Sequence, residues 1–362
     1  MTSEARPPLK LGATIGILGG GQLGRMLAMA AHRLGLRAHI YAPEPDACAF
    51  EVASLKTVAR FDDMVALARF SESVDAITWE FENVPADMAE VHGIARKVRG
   101  SSSSLRISQD RLLEKRFLME CGLPVAPWQA IDSIDALKLS FVALGSPAVL
   151  KTRRLGYDGK GQIMVRAGDD LERIFKGLNG AAAILEAFIP FEREVSVILA
   201  RGDDGATAAY DVIENIHENH ILRSSLVPAK VSPEVAEAAV AAARTIAQAL
   251  DYVGVLGVEF FVTGRPEKPL LINEFAPRVH NSGHWTEAAA VTSQFTQHIK
   301  ALAGWPLGDP GRFADAEMRN LLGDEVLKAT SIQGVSVHVY GKAEIRPGRK
   351  MGHTIRLIPL NH

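Results

Sequence analysis

Apolar positions recur with two different periods along this chain, and the changes between them mark its elements. At 14–18 (TIGIL) they run unbroken as a short strand, and a turn of three glycines follows. Leu23, Leu27, Ala28, Ala31 and Leu34 then recur at helical spacing until Gly35 ends the run. RAHIYA (37–42) and DAITWEF (75–81) predict two more strands, with a helical stretch around 62–70 between them. Strands and helices alternating through short links predict a parallel α/β layer. GSSSSLRIS at 100–108 reads as a polar, turn-rich break, and a first domain boundary is placed there, giving domains of 1–108 and beyond.

Past that break a helix is predicted from Asp110 to about Glu120, closed by Gly122 and Pro124. PAVLKT (147–152) is a buried-looking strand that opens into RRLGYDGKGQ and returns as IMV, a hairpin pattern. AILEAFI and EVSVILA predict further strands. Ser232 as N-cap and Pro233 at the first helical position start a long alanine-rich helix. VLGVEFFV and PLLINEF pair around a TGRPEK turn, and after about 312 VSVHVYGK and AEIRPGRKMGH predict a small β-rich module. No internal repeat is present.

Composition narrows the class. The 362 residues suffice for two or three domains, and 47% hydrophobic with 23% charged residues is ordinary for a soluble globular protein. Forty Lys and Arg against forty-two Asp and Glu leave a net charge of −2, so no basic excess points to nucleic acid. Cys48 and Cys121 are the two cysteines; they lie far apart, outside any metal spacing, and suit a reducing cytoplasm. No apolar run reaches the roughly 18–20 residues of a membrane helix, and the opening MTSEARPPLK is unlike a signal peptide. A cytoplasmic protein is expected.

Five stretches carry candidate chemistry. Gly19-x-Gly21-x-x-Gly24, with Glu44 some twenty residues on, has the spacing of a dinucleotide fingerprint. Bare amides at a helix start hold NAD, another anion, or nothing beyond a tight packing turn. LKTRRLGYDGKGQ crowds Lys151, Arg153, Arg154 and Lys160 around Gly156, Gly159 and Gly161, with one acid, Asp158. Lacking a Walker pattern, it reads as a phosphate-covering lid, or more plainly as an exposed basic hairpin. In a hairpin centred on Pro266-Glu267, Glu259 falls opposite Glu274. Two carboxylates about 5 Å apart repel by roughly 3 kcal/mol at an effective dielectric near 20. A shared Mg²⁺ would offset that, as would an ion pair from Arg278. NEFAPRVHNSGHWT clusters Arg278, His280, Asn281, Ser282 and His284 beside the pair, a candidate anion pocket. YGKAEIRPGRKMGH adds Lys342, Arg346, Arg349 and Lys350, equally a solvated hairpin or a phosphate contact.

In this order, the glycine turn, lysine-plus-glycine lid, paired glutamates and C-terminal module resemble the ATP-grasp superfamily over nearly the whole chain. GGGQLGRML, GYDGKGQ, NEFAPRVHNSGHWT and RPGRKMGH resemble, within it, the N5-carboxyaminoimidazole ribonucleotide synthases of purine biosynthesis. The resemblance implies an α/β and α+β architecture: a Rossmann-like pre-ATP-grasp domain over 1–108, an ATP-grasp domain over 109–305 with a lid subdomain at about 147–211, and a rudimentary β-rich domain over 306–362. It implies ATP and Mg²⁺, with aminoimidazole ribonucleotide and bicarbonate as the other substrates. It also implies a homodimer, and hand-over of the product to the mutase next in the pathway.

Carried over residue by residue, Arg111 and Lys151 should touch the ATP phosphates, with the lid from Gly156 through Tyr157, Asp158, Gly159, Lys160 and Gly161 to Gln162 closing over them. A strand of Glu186, Ala187, Phe188 and Ile189 should line the adenine, Glu194 should hold the ribose, and His217 and Asn273 should meet the nucleotide. Glu259 and Glu274 match the metal ligands. Arg278 should stabilise bicarbonate and its phosphorylated product, with His280, Asn281 and Asp158 assisting. Gly21, Gln22, Leu23, Glu80, Tyr157, Asp158, Arg154, Ser282, Lys342 and Arg349 should hold the ribonucleotide. Two departures stand out: Ala276 replaces an asparagine common among ATP-grasp enzymes, and the chain stops at His362 where relatives generally run on, so a shortened C-terminal module is expected. Another ATP-grasp ligase, an NAD-dependent oxidoreductase and a non-catalytic ATP-binding regulator are the competing readings.

Overall fold

Strand β1 (Thr14–Leu18) is buried at all five positions, as a central parallel strand covered on both faces must be. It is followed by α1 (Gln22–Arg33), β2 (Arg37–Ala42), β3 (Leu55–Val58), α2 (Met64–Glu72) and β4 (Ala76–Trp79). These four strands form a parallel sheet in the order β3-β2-β1-β4. The short β3, largely exposed at the sheet edge, has no clear apolar period and escapes the sequence reading. The structure, a computed structural model, describes residues 7–86, 94, 96–156 and 159–360.

The serine-rich break is a helix. α3 (Ser102–Ser108) buries Leu105 and Ser104 and packs on α4 (Arg111–Glu120). Its serines answer their own backbone, Ser104 Oγ donating to the Ser101 carbonyl at 2.5 Å, so local polarity is absorbed and tertiary contact overrides a weak propensity. α4 starts as expected, with Asp110 Oδ1 accepting from the Leu112 amide.

A small antiparallel sheet follows, ordered β5-β8-β6-β7 and built from β5 (Trp128–Ile131), β6 (Ala148–Thr152), β7 (Gln162–Val165) and β8 (Ala183–Ala187), with α5 (Ile134–Leu144) and α6 (Leu171–Gly177). It has its own core of Ile131, Leu137, Leu150, Val165 and Leu185. This unit begins and ends earlier than the 147–211 expected for the lid. It takes in β5 and leaves β9 (Arg193–Arg201) to the central sheet.

That central sheet is nine-stranded among the described residues. Besides β9 it contains β10 (Thr207–Ala209), β11 (Ile213–Glu218), β12 (Ile221–Val227), β13 (Gly254–Val262) and β14 (Leu270–Ala276), with α7 (Pro233–Ala249) capped by Ser232. After α8 (Thr286–Ala289) and α9 (Gln294–Leu302) come β15 (Asp315–Leu322), β16 (Ser336–Val339) and β17 (Lys350–Ile358). The order is β14-β13-β9-β11-β12-β15-β17-β16, with β10 on β9. The small C-terminal β-rich unit expected from the sequence is present, and its strands join the central sheet at one edge. β15 pairs with the open edge of β12, Ser224 facing Arg319, and an exposed edge is covered by continuing the sheet. One apolar cluster runs from Ile15 and Leu27 to Val255, Trp285 and Phe295, so the parallel layer and the central sheet share a core.

Candidate functional site

The glycine turn is already answered from within. Glu80, just beyond β4 and 8% exposed, accepts from the Gly21 amide and, at 2.7 Å, from the Gly24 amide. The glycines exist for this carboxylate: a Cβ on Gly19 (φ +112°) would lie 2.3 Å from Glu80 Cγ, and one on Gly21 2.6 Å from its Oε1. Burial pushes the Glu80 pKa up, against the two amides and the cations Lys342 and Arg278. Two of the amides of the Gly19-x-Gly21-x-x-Gly24 turn thus face an internal carboxylate, which weighs against the dinucleotide reading of that turn.

β13 and β14 bring Glu259 and Glu274 directly opposite, as expected. The means is a β-bulge. From Val262–Leu270 to Phe260–Ile272 the hairpin is regular, and then Asn273 is inserted as an extra residue that shifts Glu274 onto Glu259. α4 answers the backbone groups at the bulge: Lys115 Nζ donates to the Asn273 carbonyl at 2.8 Å, and Glu114 Oε1 accepts from the Phe275 amide at 2.8 Å. Burial, and then Glu274, push the Glu114 pKa up, against Lys115 and Arg111.

The partners of the pair differ from the expected ones. Arg111 Nη1 reaches Glu274 Oε2 at 3.0 Å, and His280 Nε2 reaches Glu259 Oε1 at 3.0 Å. Arg278 pairs with neither; its Nε donates to Glu82 Oε2 at 2.5 Å. Against the effect of burial, His280, His217 and Lys350 hold Glu259 down at about 2. An all-oxygen donor set beside a buried amide oxygen without a hydrogen-bond partner, Asn273 Oδ1, fits Mg²⁺.

On the lid sheet, Lys151 Nζ donates to Glu186 Oε2 at 2.9 Å, with Lys115 Nζ 3.7 Å from the other oxygen. Burial would raise the Glu186 pKa, but Lys115 and Lys151 hold it at about 2. β8 stops at Ala187, so Phe188 and Ile189 belong to the connection beyond it and the strand expected through Ile189 is shorter. His217 Nδ1 meets Glu194 Oε2 at 2.8 Å, joining two residues expected at the nucleotide. Burial lowers the His217 pKa, yet Glu194 outweighs it and the net shift is upward.

The lid loop is tied at both described ends. Arg153 clasps Asp110 with Nε and Nη2, at 2.9 and 2.5 Å, and Arg154 donates to Gln109 Oε1 at 2.9 Å. Gly159 and Gly161 have φ of +77° and +74°, and Gly159 packs on His220 at the turn between β11 and β12. His220 Nδ1 lies 3.3 Å from Gln162 Nε2. Gly156 and Lys160 lie within this loop; Tyr157 and Asp158 are outside the described residues.

One expected contact is corrected. Ser282 is fully buried, its Oγ 2.8 Å from Ser196 Oγ and 2.9 Å from His280 Nδ1, so it orients His280 instead of meeting substrate. Asn281 exchanges both amide bonds with Asn320, at 3.0 and 2.8 Å, which fixes the segment. Lys342 Nζ donates to the Lys350 carbonyl at 2.7 Å, and its charge lowers the Glu80 pKa against the effect of burial. Burial, then Arg349, push Lys342 down to about 8.

The cleft between these parts is lined by Glu82, Arg111, Glu114, Glu259, Glu274, Arg278 and His280, among others. Glu82, Glu114 and Lys115 are absent from the sequence reading. Lys115 sits between Leu112 and Leu118 at helical spacing, a charge within an apolar stripe, and that was the available signal.

The comparisons with known proteins agree with this layout. The ribonucleotide synthetase preATP-grasp domain matches residues 12–109, the ATP-grasp domain 116–295, and the phosphoribosylaminoimidazole carboxylase C-terminal domain 316–357. The N5-carboxyaminoimidazole ribonucleotide synthase of Brucella melitensis is 51% identical over 356 residues, 97% of this chain and 98% of the relative. The N5-carboxyaminoimidazole ribonucleotide synthetase structure from Thermus thermophilus is 44% identical with a TM-score of 0.88, covering 95% of this chain and 93% of that one. The Aspergillus clavatus synthase, solved in complex with ADP and 5-aminoimidazole ribonucleotide, is 28% identical with a TM-score of 0.89, covering 96% of this chain and 94% of that one. The chain belongs to the N5-carboxyaminoimidazole ribonucleotide synthase family of ATP-grasp ligases.

Proposed function

We propose that this chain carboxylates 5-aminoimidazole ribonucleotide with bicarbonate at the expense of ATP, giving N5-carboxyaminoimidazole ribonucleotide, ADP and phosphate. The observation that carries the reading is the bulged hairpin, which sets Glu259 against Glu274 beside Arg111 and Arg278 in one cleft. A bicarbonate oxygen bonds to the γ-phosphorus of ATP as the bond to ADP breaks, forming carboxyphosphate. The ribonucleotide's exocyclic amine then bonds to the carboxyl carbon, directly or through released CO2, as phosphate leaves and the amine loses a proton. Phosphoryl transfer of this kind is mostly positioning and charge stabilisation.

Each residue has a physical part in that scheme. Arg111 and Lys151 are oriented by Glu274 and Glu186 to neutralise the phosphates. Glu259 and Glu274 would hold Mg²⁺, which when bound would supply positive charge to the transferring phosphoryl oxygens. Arg278, held by Glu82, presents the remaining guanidinium nitrogens to bicarbonate and carboxyphosphate. His280 is fixed by Ser282 beside that point. Glu80, Lys342 and Arg349 flank the ribonucleotide, and the loop from 153 to 162 shields the labile intermediate from water. A homodimer, cytoplasmic residence and hand-over of the product to the following mutase belong to the same proposal. Among the described residues, no helix is long and apolar enough to cross a membrane.

The test is ADP release from Mg-ATP with bicarbonate, with and without aminoimidazole ribonucleotide. Release that depends on the ribonucleotide is expected; release indifferent to it would redirect the reading to another acceptor.

A further inference from the structure

Three histidines that the carboxylation does not use come from three of the singled-out motifs and meet at one place. His284 comes from NSGHWT, His338 from VSVHVYGK and His353 from RPGRKMGH. His338 in β16 is the register partner of His353 in β17, their rings stacked 5.2 Å apart. The His284 ring lies 4.7 Å from that of His353. Glu287 of α8 closes the group, its Oε2 3.3 Å from His338 Nδ1. One ligand atom each from Glu287, His338 and His353 fall within 4.8 Å of one another. None of these four residues lines the cleft that contains Glu259 and Glu274.

The burial is what makes the cluster more than a stack. His353 is 1% exposed, and its Nδ1 is fixed by the Tyr340 hydroxyl at 3.0 Å. Its Nε2 is buried and has no hydrogen-bond partner among the described residues, and the same holds for Nε2 of the fully buried His284. Buried polar atoms left unpaired are uncommon and call for an explanation. An imidazole locked through one nitrogen, with the other unpaired, is the arrangement of a metal-ligating histidine and its outer partner.

We propose that Glu287, His338 and His353 form a binding site for a divalent transition ion of the zinc class, with His284 packed behind His353. Imidazole donors select such an ion over Mg²⁺, which prefers oxygen. The His338–Glu287 separation already suits two ligands of one ion, and the exposed Glu287 has the freedom to draw in. The ion ties the β16–β17 pair to α8. It thereby steadies the connection that bears Lys342 and Arg349 against the segment that bears Arg278 and His280.

The experiment is a Co²⁺ titration of chelator-stripped enzyme in excess Mg²⁺, read by visible ligand-field absorption and by competition with Zn²⁺. One equivalent of Co²⁺ should give the strong bands of a low-coordinate site and be displaced by Zn²⁺. Glu287→Gln and His338→Gln, on an exposed and a half-buried side chain respectively, should weaken Co²⁺ at least tenfold while unfolding at an unchanged temperature, and Glu274→Gln should bind it as the wild type does. Absence of a tight equivalent would overturn the proposal. So would unchanged affinity in both variants, or loss of the bands in Glu274→Gln.

Discussion

The glycine turn and the glutamate hairpin both present concentrated charge, and both are answered by the protein itself, but in different ways. At the turn, the amides of Gly21 and Gly24 are held by one buried carboxylate, Glu80, against which the glycines pack so closely that no Cβ fits. At the hairpin, Glu259 and Glu274 are answered by His280 and Arg111 from other elements, and Glu274 keeps 41% of its side chain exposed. The first is a packing joint that aims Glu80; the second leaves its two carboxylates partnered from other elements, one of them open to solvent. A motif that names an anion site in one fold can therefore serve as a socket for an acid in another.

The largest effect separating the two should come from Glu274→Gln. Halving the metal pair should cut ADP formation by about 10³-fold, or ~4 kcal/mol of transition-state stabilisation, with an unchanged unfolding transition. Near-normal turnover would remove the hairpin from the reaction. At the turn the expected loss is of stability. Gly19→Ala adds a Cβ into Glu80 at a positive φ, which should cost about 3 kcal/mol in a denaturant titration. An unperturbed midpoint would show that Glu80 can move aside.

Smaller effects probe what supports the hairpin. Lys115→Met leaves the Asn273 carbonyl unanswered and should lower kcat/KM for ATP by about 10- to 100-fold, while KM for the ribonucleotide stays put. The smallest effect concerns Lys342, depressed to about 8 by burial and Arg349. It is charged below that value and neutral above it, so an anionic ribonucleotide should bind more weakly as pH rises through 8. KM for the ribonucleotide should climb by up to about tenfold per pH unit there, and Lys342→Arg should flatten the climb. A flat wild-type profile would place Lys342 away from the substrate.

Periodicity and turn chemistry made much of this readable beforehand. TIGIL, the Asp110 and Ser232 caps and the opposition of Glu259 and Glu274 all rest on local rules that tertiary structure did not overrule. The hairpin needed a bulge at Asn273 to deliver that opposition, and no pattern in PLLINEF announces one. α3 was hidden because serine favours turns in isolation, yet Leu105 is buried on α4. Ion-pair choice was hidden for another reason: Arg278 chooses Glu82 across 196 positions of sequence, and distance in the chain carries no such information. The roles of the site as a whole became visible through four long motifs resembling one enzyme family, which residue chemistry alone left open among several ligases.

The most direct test of the account follows one oxygen. Turnover in 18O-labelled bicarbonate with unlabelled water should place one bicarbonate oxygen in each phosphate released, because bicarbonate attacks the γ-phosphorus. Phosphate free of label would mean that water is the attacking group, and the carboxyphosphate route would be contradicted.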